Sequence, residues 1–396
     1  MPNTNVNPGI ETSSERGPPG TVTVLLIANY LPDKQKSMTR VAELLESGLC
    51  SAGIRVRVIQ PTVLFGGWIE NAGGLGKWIG YLDKFLLFPF KLFSALTGVD
   101  LVHVVDHSNA VYLYWLGRRK SVVTCNDLLA VRSGLGEFAE NRTGFSGKIF
   151  QRWILGGLTR AKHVVCISDA TKRDLLRLTQ KREADVSQTY LALGEAFRIA
   201  LQSNLKETLG TAIGQVNGSA AGRTKKLYIL HVGGDTWYKN RLGVLEIYCE
   251  IRTKLGQKAP GLVMVGPPLE TSGAEVTFLQ DLDDTELAAL YAGAELLLFP
   301  SLEEGFGWPV VEAQACGCPV VTTGKPPMTE AGGTAAIYLR DPCDAKSAAE
   351  TVIAVLQYDS ATRARIRDEG FQNAQRFTEP AMIAGYLQVY RSLLIA

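Results

Sequence analysis

No run of about 18 uncharged apolar residues occurs in the chain, so no helix is expected to cross a bilayer. Charge of one sign is equally scarce. Lys plus Arg total 41 against 39 Asp plus Glu, a net charge of +2, which leaves no global field for nucleic acid; none is expected as a partner. Histidine occurs four times, and the seven cysteines, at 50, 125, 166, 249, 316, 318 and 343, are scattered and odd in number. They read as reduced thiols of a cytoplasmic protein. Cys316 and Cys318 make half of a metal-binding spacing, but no second Cys/His pair completes it, so no metal is expected. Gly-x-Gly-x-x-Gly is missing after the first strand-like run. The second run, Ile54 to Ile59, ends in Gln60-Pro61 where an acid would hold a ribose, which argues against a dinucleotide dehydrogenase. Met1 to Pro19 lack the charged start and apolar centre of a signal peptide, and their Asn, Pro, Gly and Ser content predicts disorder.

What is present is too much apolar sequence for one ordinary core: 396 residues, 46% of them apolar. The most informative stretch is Glu303 to Val321. Glu295 to Pro300 before it and Pro319 to Thr323 after it are strand-like. Between them Pro309 suits the first position of a helix and Gly317 the left-handed position just past its end. A strand, glycine loop, short helix and strand place the loop at the carboxyl end of a parallel strand, with the N–H groups of Gly305, Phe306 and Gly307 directed outward as an anion site. Glu304 in the loop and Glu312, expected in the first helical turn, flank that site. Carboxylates repel phosphate but accept hydrogen bonds from hydroxyls, so the pair fits a ligand that carries both phosphate and sugar.

Two glutamates separated by seven residues, in the setting EGFGWPVVEAQACGCPVV, resemble the signature of the retaining glycosyltransferases of the GT-B fold, family 4. The resemblance implies an α/β protein of two Rossmann-like domains facing across a cleft, with the last helix crossing back to the first domain. It implies a nucleoside-diphosphate sugar as donor substrate, no cofactor, and transfer with retention, Glu312 holding the ribose hydroxyls and Glu304 contacting the donor sugar. A second phosphate-facing loop, Gly233-Gly234-Asp235-Thr236-Trp237-Tyr238-Lys239-Asn240-Arg241, follows the strand-like Leu227 to Val232. Lys239 matches the family lysine at the donor diphosphate, whereas Gly234 stands at the family arginine. Arg241 and Lys34 are both candidates for the missing charge. The domains are expected at 20–198 and 226–378, joined by a Gly/Ala/Ser/Thr linker at 199–225 and followed by the returning helix at 379–396.

The first domain resembles the family only in architecture. Met38, Val41, Leu45 and Leu49 recur at helical spacing, with Ser37 available as cap. His107 follows the strand-like Asp100 to Val105, where ligands bind in such sheets, and is the catalytic candidate near the acceptor; a structural loop histidine is the other reading. His103, inside the strand, reads as a core residue. Asn126 replaces the family histidine before Asp127, so no proton chemistry carries over to it. Residues 77–97 are aromatic and basic, with Lys77, Lys84 and Lys91 at seven-residue intervals, interrupted by Pro89. Two readings stand: a stretch that meets a membrane surface or a lipid-linked acceptor, which would make the protein peripheral, or a helix pair packed on the domain with its lysines in water.

The expected activity is therefore metal-independent transfer of a sugar to a glycan or lipid hydroxyl, in polysaccharide, lipopolysaccharide or glycolipid synthesis. The catalytic candidates are His107, Lys239 and Glu304. A nucleotide-sugar epimerase is one alternative. A binding-only subunit is another, favoured by Asn126 and Gly234.

Overall fold

The computed structural model describes residues 21–33, 35–64, 80–203, 227–270 and 276–395. The first six strands are β1 (Thr23–Ile27), β2 (Arg55–Ile59), β3 (Leu101–Val104), β4 (Ser121–Cys125), β5 (His163–Cys166) and β6 (Val186–Gln188). They form one parallel sheet in the order β2-β1-β3-β4-β5-β6. Every residue of β1, β3, β4 and β5 is buried, which is why these strands read as unbroken apolar runs rather than alternating ones. Helices α1 (Lys36–Ser51), α2 (Phe88–Ala95), α3 (Phe145–Arg160) and α4 (Asp169–Thr179) belong to this half, and α5 (Glu195–Ser203) packs on helices of the second, its Phe197 ring 6.1 Å from that of Tyr291. Val41, Leu45 and Leu49 of α1 are fully buried, as their spacing predicts. Ser37 is not the cap, because the helix starts one residue earlier and Gln35 stands before it. Ser168 does cap α4, its Oγ accepting from Thr171 N at 3.1 Å.

The second half repeats the plan. Strands β7 (Tyr228–Val232), β8 (Gly261–Val265), β9 (Val276–Leu279), β10 (Leu296–Phe299), β11 (Val320–Thr323) and β12 (Ala336–Leu339) form a parallel sheet in the order β12-β11-β10-β7-β8-β9. Its helices are α6 (Arg241–Leu255), α7 (Asp284–Gly293), α8 (Trp308–Ala315), α9 (Met328–Gly332), α10 (Ala345–Leu356) and α11 (Ser360–Ala374). Helix α7 opens with a full capping box, Asp283 and Glu286 each bonding the other's backbone N–H. In both sheets the strand order reverses beside the first strand, at β1/β3 and at β7/β10. Ligands of open α/β sheets bind at such reversals, outside the carboxyl ends of the strands.

Helix α12 (Glu379–Ile395) returns to the first half, as expected. Tyr390 Oη lies 2.6 Å from His103 Nδ1, Thr124 Oγ1 lies 2.8 Å from His103 Nε2, and Tyr386 Oη lies 2.9 Å from Thr124 Oγ1. His103 is thus a satisfied core residue. Burial pushes its pKa down to about 3, so it is neutral. Lys120 Nζ donates to Leu394 O at 3.0 Å and completes the tie.

Of the segment 77–97, Lys77 lies outside the described residues, as do Lys34 and most of the expected linker. Ahead of α2 the chain forms a six-residue π-helical turn, Leu82–Leu87, in which Phe88 N–H donates to Asp83 O five residues back. In an ordinary α-helix the ring of Pro89 would meet the carbonyl of Phe85, and the wider turn relieves that clash. Lys91 is exposed, whereas Lys84 is not. Lys84 is turned inward onto Asp33 at 2.5 Å, and Lys91 Nζ reaches Thr62 Oγ1 at 3.2 Å. The apolar side chains of Leu82, Leu86, Phe90 and Phe93 also stand in solvent.

Candidate functional site

The site is built from loops that leave the carboxyl ends of both sheets. In the second domain the chain after β10 reaches Glu304, and the chain after β7 forms a short 3-10 turn, Trp237–Lys239. Leu302 N donates to Tyr238 O at 2.8 Å and binds the two loops together. Lys239 Nζ then meets Glu304 Oε1 at 2.7 Å, with both side chains mostly buried and the ammonium 5.0 Å above the Phe299 ring. Lys239 ends the 3-10 turn rather than opening the helix. Asn240 follows with φ 51° and donates to the carbonyls of Pro300 and Pro342, so its amide fixes the loop.

Gly307 has φ 106° and stands immediately before α8, a conformation that L side chains rarely adopt. The helix begins at Trp308, which moves Pro309 to the second position, where its missing N–H is still harmless, and moves Glu312 into the second turn. Among the described residues, no hydrogen bond within the chain uses the N–H of Gly305, Phe306 or Gly307. The Phe306 side chain is buried, its ring 5.9 Å from Tyr190 and 5.5 Å from Phe377. By contrast, the N–H of Gly233 is already committed to Val265 O at 3.0 Å.

Arg241 is the first residue of α6 and is buried. Its Nη2 donates to Pro267 O, and Asp235 is 3.9 Å from Nη1. Burial lowers its pKa against the pull of Asp235, and Nε and Nη1 have no hydrogen-bond partner among the described residues. Glu312 lies apart from Glu304, under the first domain. Arg40 of α1 contacts Glu312 Oε1 at 3.0 Å, and Tyr291 Oη donates to Oε2 at 3.2 Å. Burial raises the Glu312 pKa, and Arg40 opposes that shift without cancelling it. The Arg40 guanidinium is sandwiched by Trp308 at 4.7 Å and Phe197 at 5.3 Å. Sequence reasoning did not single out Arg40, because its partner lies 272 positions away.

The first domain contributes a buried polar cluster. Asp106 accepts from Asn29 Nδ2 at 2.7 Å, Asn126 Nδ2 at 3.3 Å and Ser108 N at 3.2 Å, and also from Ser108 Oγ. Burial alone would raise its carboxyl; His107 and the Ser108 and Asn29 bonds hold it well below the ordinary carboxylate range. His107 Nδ1 is 3.1 Å from Asp106 Oδ1, in charge contact but off the line of a hydrogen bond. Burial pulls the His107 pKa down, Asp106 and Asp127 outweigh it, and the net shift is upward. Asn126 fills the place where a histidine was sought and binds Asp106 and Met38 instead.

The two halves touch at Gly305. A Cβ on that residue would stand 2.2 Å from Asn126 O and 3.0 Å from Asp127 Cβ, so only glycine permits this approach. Around it, Arg132 Nη1 meets Glu303 at 3.0 Å, and Glu330 accepts from Asp169 N and Ala170 N at the start of α4. A cavity of about 360 Å³ opens between the domains, lined by Asp127, Arg132, Thr171, Glu303, Glu304 and Lys325 among others. Glu304 and Asp127 reach it. His107 and Glu312 are buried and do not line it. Asp283 completes an Asp-x-Asp triplet with Asp281, but its carboxylate is spent on capping α7; among the described residues no group of three His, Cys, Asp or Glu side chains is placed to hold a metal.

Two family models match the chain: Glycosyltransferase Family 4 over residues 38–187 and Glycosyl transferases group 1 over residues 219–373. Together they cover more than half of it. The O-antigen chain mannosyltransferase RfbU of Salmonella typhimurium is 26% identical over 261 residues, 60% of this chain and 67% of the relative. O-antigen chain mannosyltransferase B of Escherichia coli is 28% identical over 178 residues, 42% of this chain and 46% of the relative, so the chain aligns with under half of that protein. Among solved structures, a sucrose-phosphate synthase from Thermosynechococcus elongatus superposes with a TM-score of 0.71 at 19% identity, covering 94% of this chain and 99% of that one. Anabaena HepE in complex with UDP and glucose gives 0.63 at 16% identity, covering 93% and 99%. These likenesses are of fold, and they agree with the two-sheet GT-B architecture.

Proposed function

The chain belongs to the group 1 glycosyl transferases, and we propose that it moves a sugar, with retention and without a metal, from a nucleoside-diphosphate sugar to a hydroxyl of a glycan or lipid-linked acceptor. The similarity to O-antigen mannosyltransferases supports a place in the synthesis of a polysaccharide, lipopolysaccharide or glycolipid. The observation that carries the reading is the Lys239–Glu304 pair at the cleft, beside three uncommitted N–H groups and the start of α8.

Lys239 and Glu304 neutralise each other at 2.7 Å. A donor would separate them: its diphosphate takes the ammonium, and its sugar hydroxyls donate to the carboxylate. As the glycosidic bond to phosphate breaks, negative charge grows on the departing nucleoside diphosphate. Lys239, the N–H groups of Gly305, Phe306 and Gly307 and the positive end of α8 meet that charge from fixed positions. Glu312 is the candidate for the ribose hydroxyls, and ribose binding then requires Arg40 to release it. On the other wall, Asp127 lines the cavity and is the candidate carboxylate for an acceptor hydroxyl, the second acid there, Asp174, being paired with Arg132 and Arg177. His107, held by Asp106, is the proton-handling candidate behind it. The approach of the two loops at Gly305 brings donor and acceptor walls together only when the cleft is closed.

The test is a panel of UDP-, GDP-, ADP- and TDP-sugars, with release of nucleoside diphosphate as readout and the anomeric proton of the product assigned by NMR. Release from one member with retained configuration is expected. An inverted product would remove the retaining mechanism, and conversion of the donor to an epimer without acceptor would place the chain in the other class.

A further inference from the structure

Two neighbouring helical segments of the first domain expose large apolar side chains that no contact among the described residues covers. On the π-helical turn and α2, Leu82, Leu86, Phe90 and Phe93 are 45%, 58%, 71% and 52% exposed. Their spacing of four, four and three residues puts them on one helical face. The opposite face is spent on the core: Phe85 packs against Phe150 at 5.8 Å and Trp153 at 5.4 Å, both from α3, and Phe88 against Tyr112 at 4.7 Å. Helix α3 continues the pattern outward, with Phe145 at 82% and Ile149 at 53% exposure. Six large apolar side chains on two adjoining helices exceed the scattered exposure normal for a soluble surface.

Most of the exposed charges around them are basic, and the exposed acid Asp33 is paired with Lys84. Arg142, Lys148, Arg152 and Arg160 are exposed on α3 or just before it, and α3 contains no acid. Between residues 80 and 97 the single acid is Asp83, which is fully buried and accepts from Tyr30 Oη at 2.6 Å. Glu140 is the exposed acid nearest in sequence to Phe145. Among the described residues no helix is long and apolar enough to cross a membrane. An outward apolar ridge with a basic border fits a surface that is apolar inside and anionic outside, the interface of an acidic bilayer.

We propose that this ridge seats the first domain on an anionic membrane surface, with Leu82, Leu86, Phe90, Phe93, Phe145 and Ile149 in the headgroup–acyl boundary and Lys148 and Arg152 of α3 on lipid phosphates. The placement suits the site. Asp83 holds Tyr30, the neighbour of Asn29 in the Asp106 cluster, and Lys84 holds Asp33 in the loop after β1, so the ridge is anchored to the first-domain wall of the cleft. An acceptor carried on a lipid would reach that wall without leaving the bilayer. The acceptor part of this inference rests on the transferase reading, whereas the attachment does not.

The experiment is co-sedimentation of the full chain with phosphatidylcholine vesicles and with vesicles containing phosphatidylglycerol. Wild type is expected in the pellet with the anionic vesicles. Phe90→Ser with Phe93→Ser should weaken partitioning by roughly ten- to a hundredfold, and Phe145→Ser with Ile149→Ser should do likewise on an independent element. Lys84→Gln, whose ammonium is turned onto Asp33, should pellet like wild type. Donor turnover without vesicles is measured in parallel and should be unchanged in all three, which separates loss of attachment from failure of the donor site. Wild type remaining in the supernatant with both lipids, or equal pelleting of the two serine double variants and wild type, overturns the proposal. So does a wild-type dimer on size exclusion that the serine variants dissolve, which would make the ridge a contact between copies.

Discussion

The two walls of the cleft are prepared differently. The second-domain wall presents Lys239 and Glu304 joined to each other, with backbone N–H groups uncommitted beside them. Behind the first-domain wall lies a buried carboxylate, Asp106, already satisfied by Asn29, Ser108, Asn126 and the charge of His107. A pair that must open for ligand suits a substrate exchanged on every turnover. A saturated buried cluster instead fixes one geometry and one protonation state. Under the transfer reading proposed above, charge handling falls to the second wall and orientation to the first, and the two halves meet at Gly305.

The contrast is broken most strongly by removing the charge. Lys239→Ala should lower turnover roughly ten- to more than a hundredfold, the loss of about 1.5 to 3 kcal/mol for a charged hydrogen bond. Steady-state release of nucleoside diphosphate reads it, and unchanged turnover would take Lys239 out of the site. Gly305→Ala leaves every charge in place and inserts a methyl where Asn126 O lies, so closure should cost about 1 to 3 kcal/mol. Activity should fall while Tm changes little, and small-angle scattering should show a more open particle. Tyr390→Phe strands the Nδ1 side of buried His103 and should cost about 1 to 2 kcal/mol of stability. Urea unfolding measures it, and donor affinity should stay as in wild type. The subtlest change sharpens the first wall. If neutral His107 takes the acceptor proton, activity rises with pH through a His107 midpoint lying above the ordinary histidine value. Asp106→Asn removes the carboxylate that favours the protonated ring, so the midpoint should move to lower pH. A pH profile that does not move would dissociate His107 from the rate.

The second wall was readable because its parts are close in sequence. Glu304 and Glu312 fall within one strand–loop–helix unit, and Lys239 follows a glycine pair at the end of its strand, so local rules place each of them. What local rules missed was the company they keep. Glu312 stands one residue deeper than expected, in the second turn, because α8 begins at Trp308, and its partner Arg40 belongs to a helix of the other domain. The first wall was legible only in part. His107 was placed at a strand end correctly, but the Asp106 cluster gathers Asn29, Ser108 and Asn126 from the ends of three strands, and no spacing in the sequence announces that convergence. Asn126 looked like a loss of function at a histidine position, whereas in the structure it serves Asp106. In residues 80–97 the seven-residue lysine interval misled for a physical reason. The π-helical turn before Pro89 changes the rotation per residue, and Lys84 finds Asp33, leaving the apolar side chains outward.

The division of labour between the walls is tested most directly by isothermal titration of UDP, GDP, ADP and TDP into wild type, Lys239→Ala and Asp106→Asn. The account predicts that one nucleoside diphosphate binds wild type and Asp106→Asn with the same affinity and binds Lys239→Ala roughly tenfold or more weakly. Equal affinity in wild type and Lys239→Ala, or a loss confined to Asp106→Asn, would contradict it.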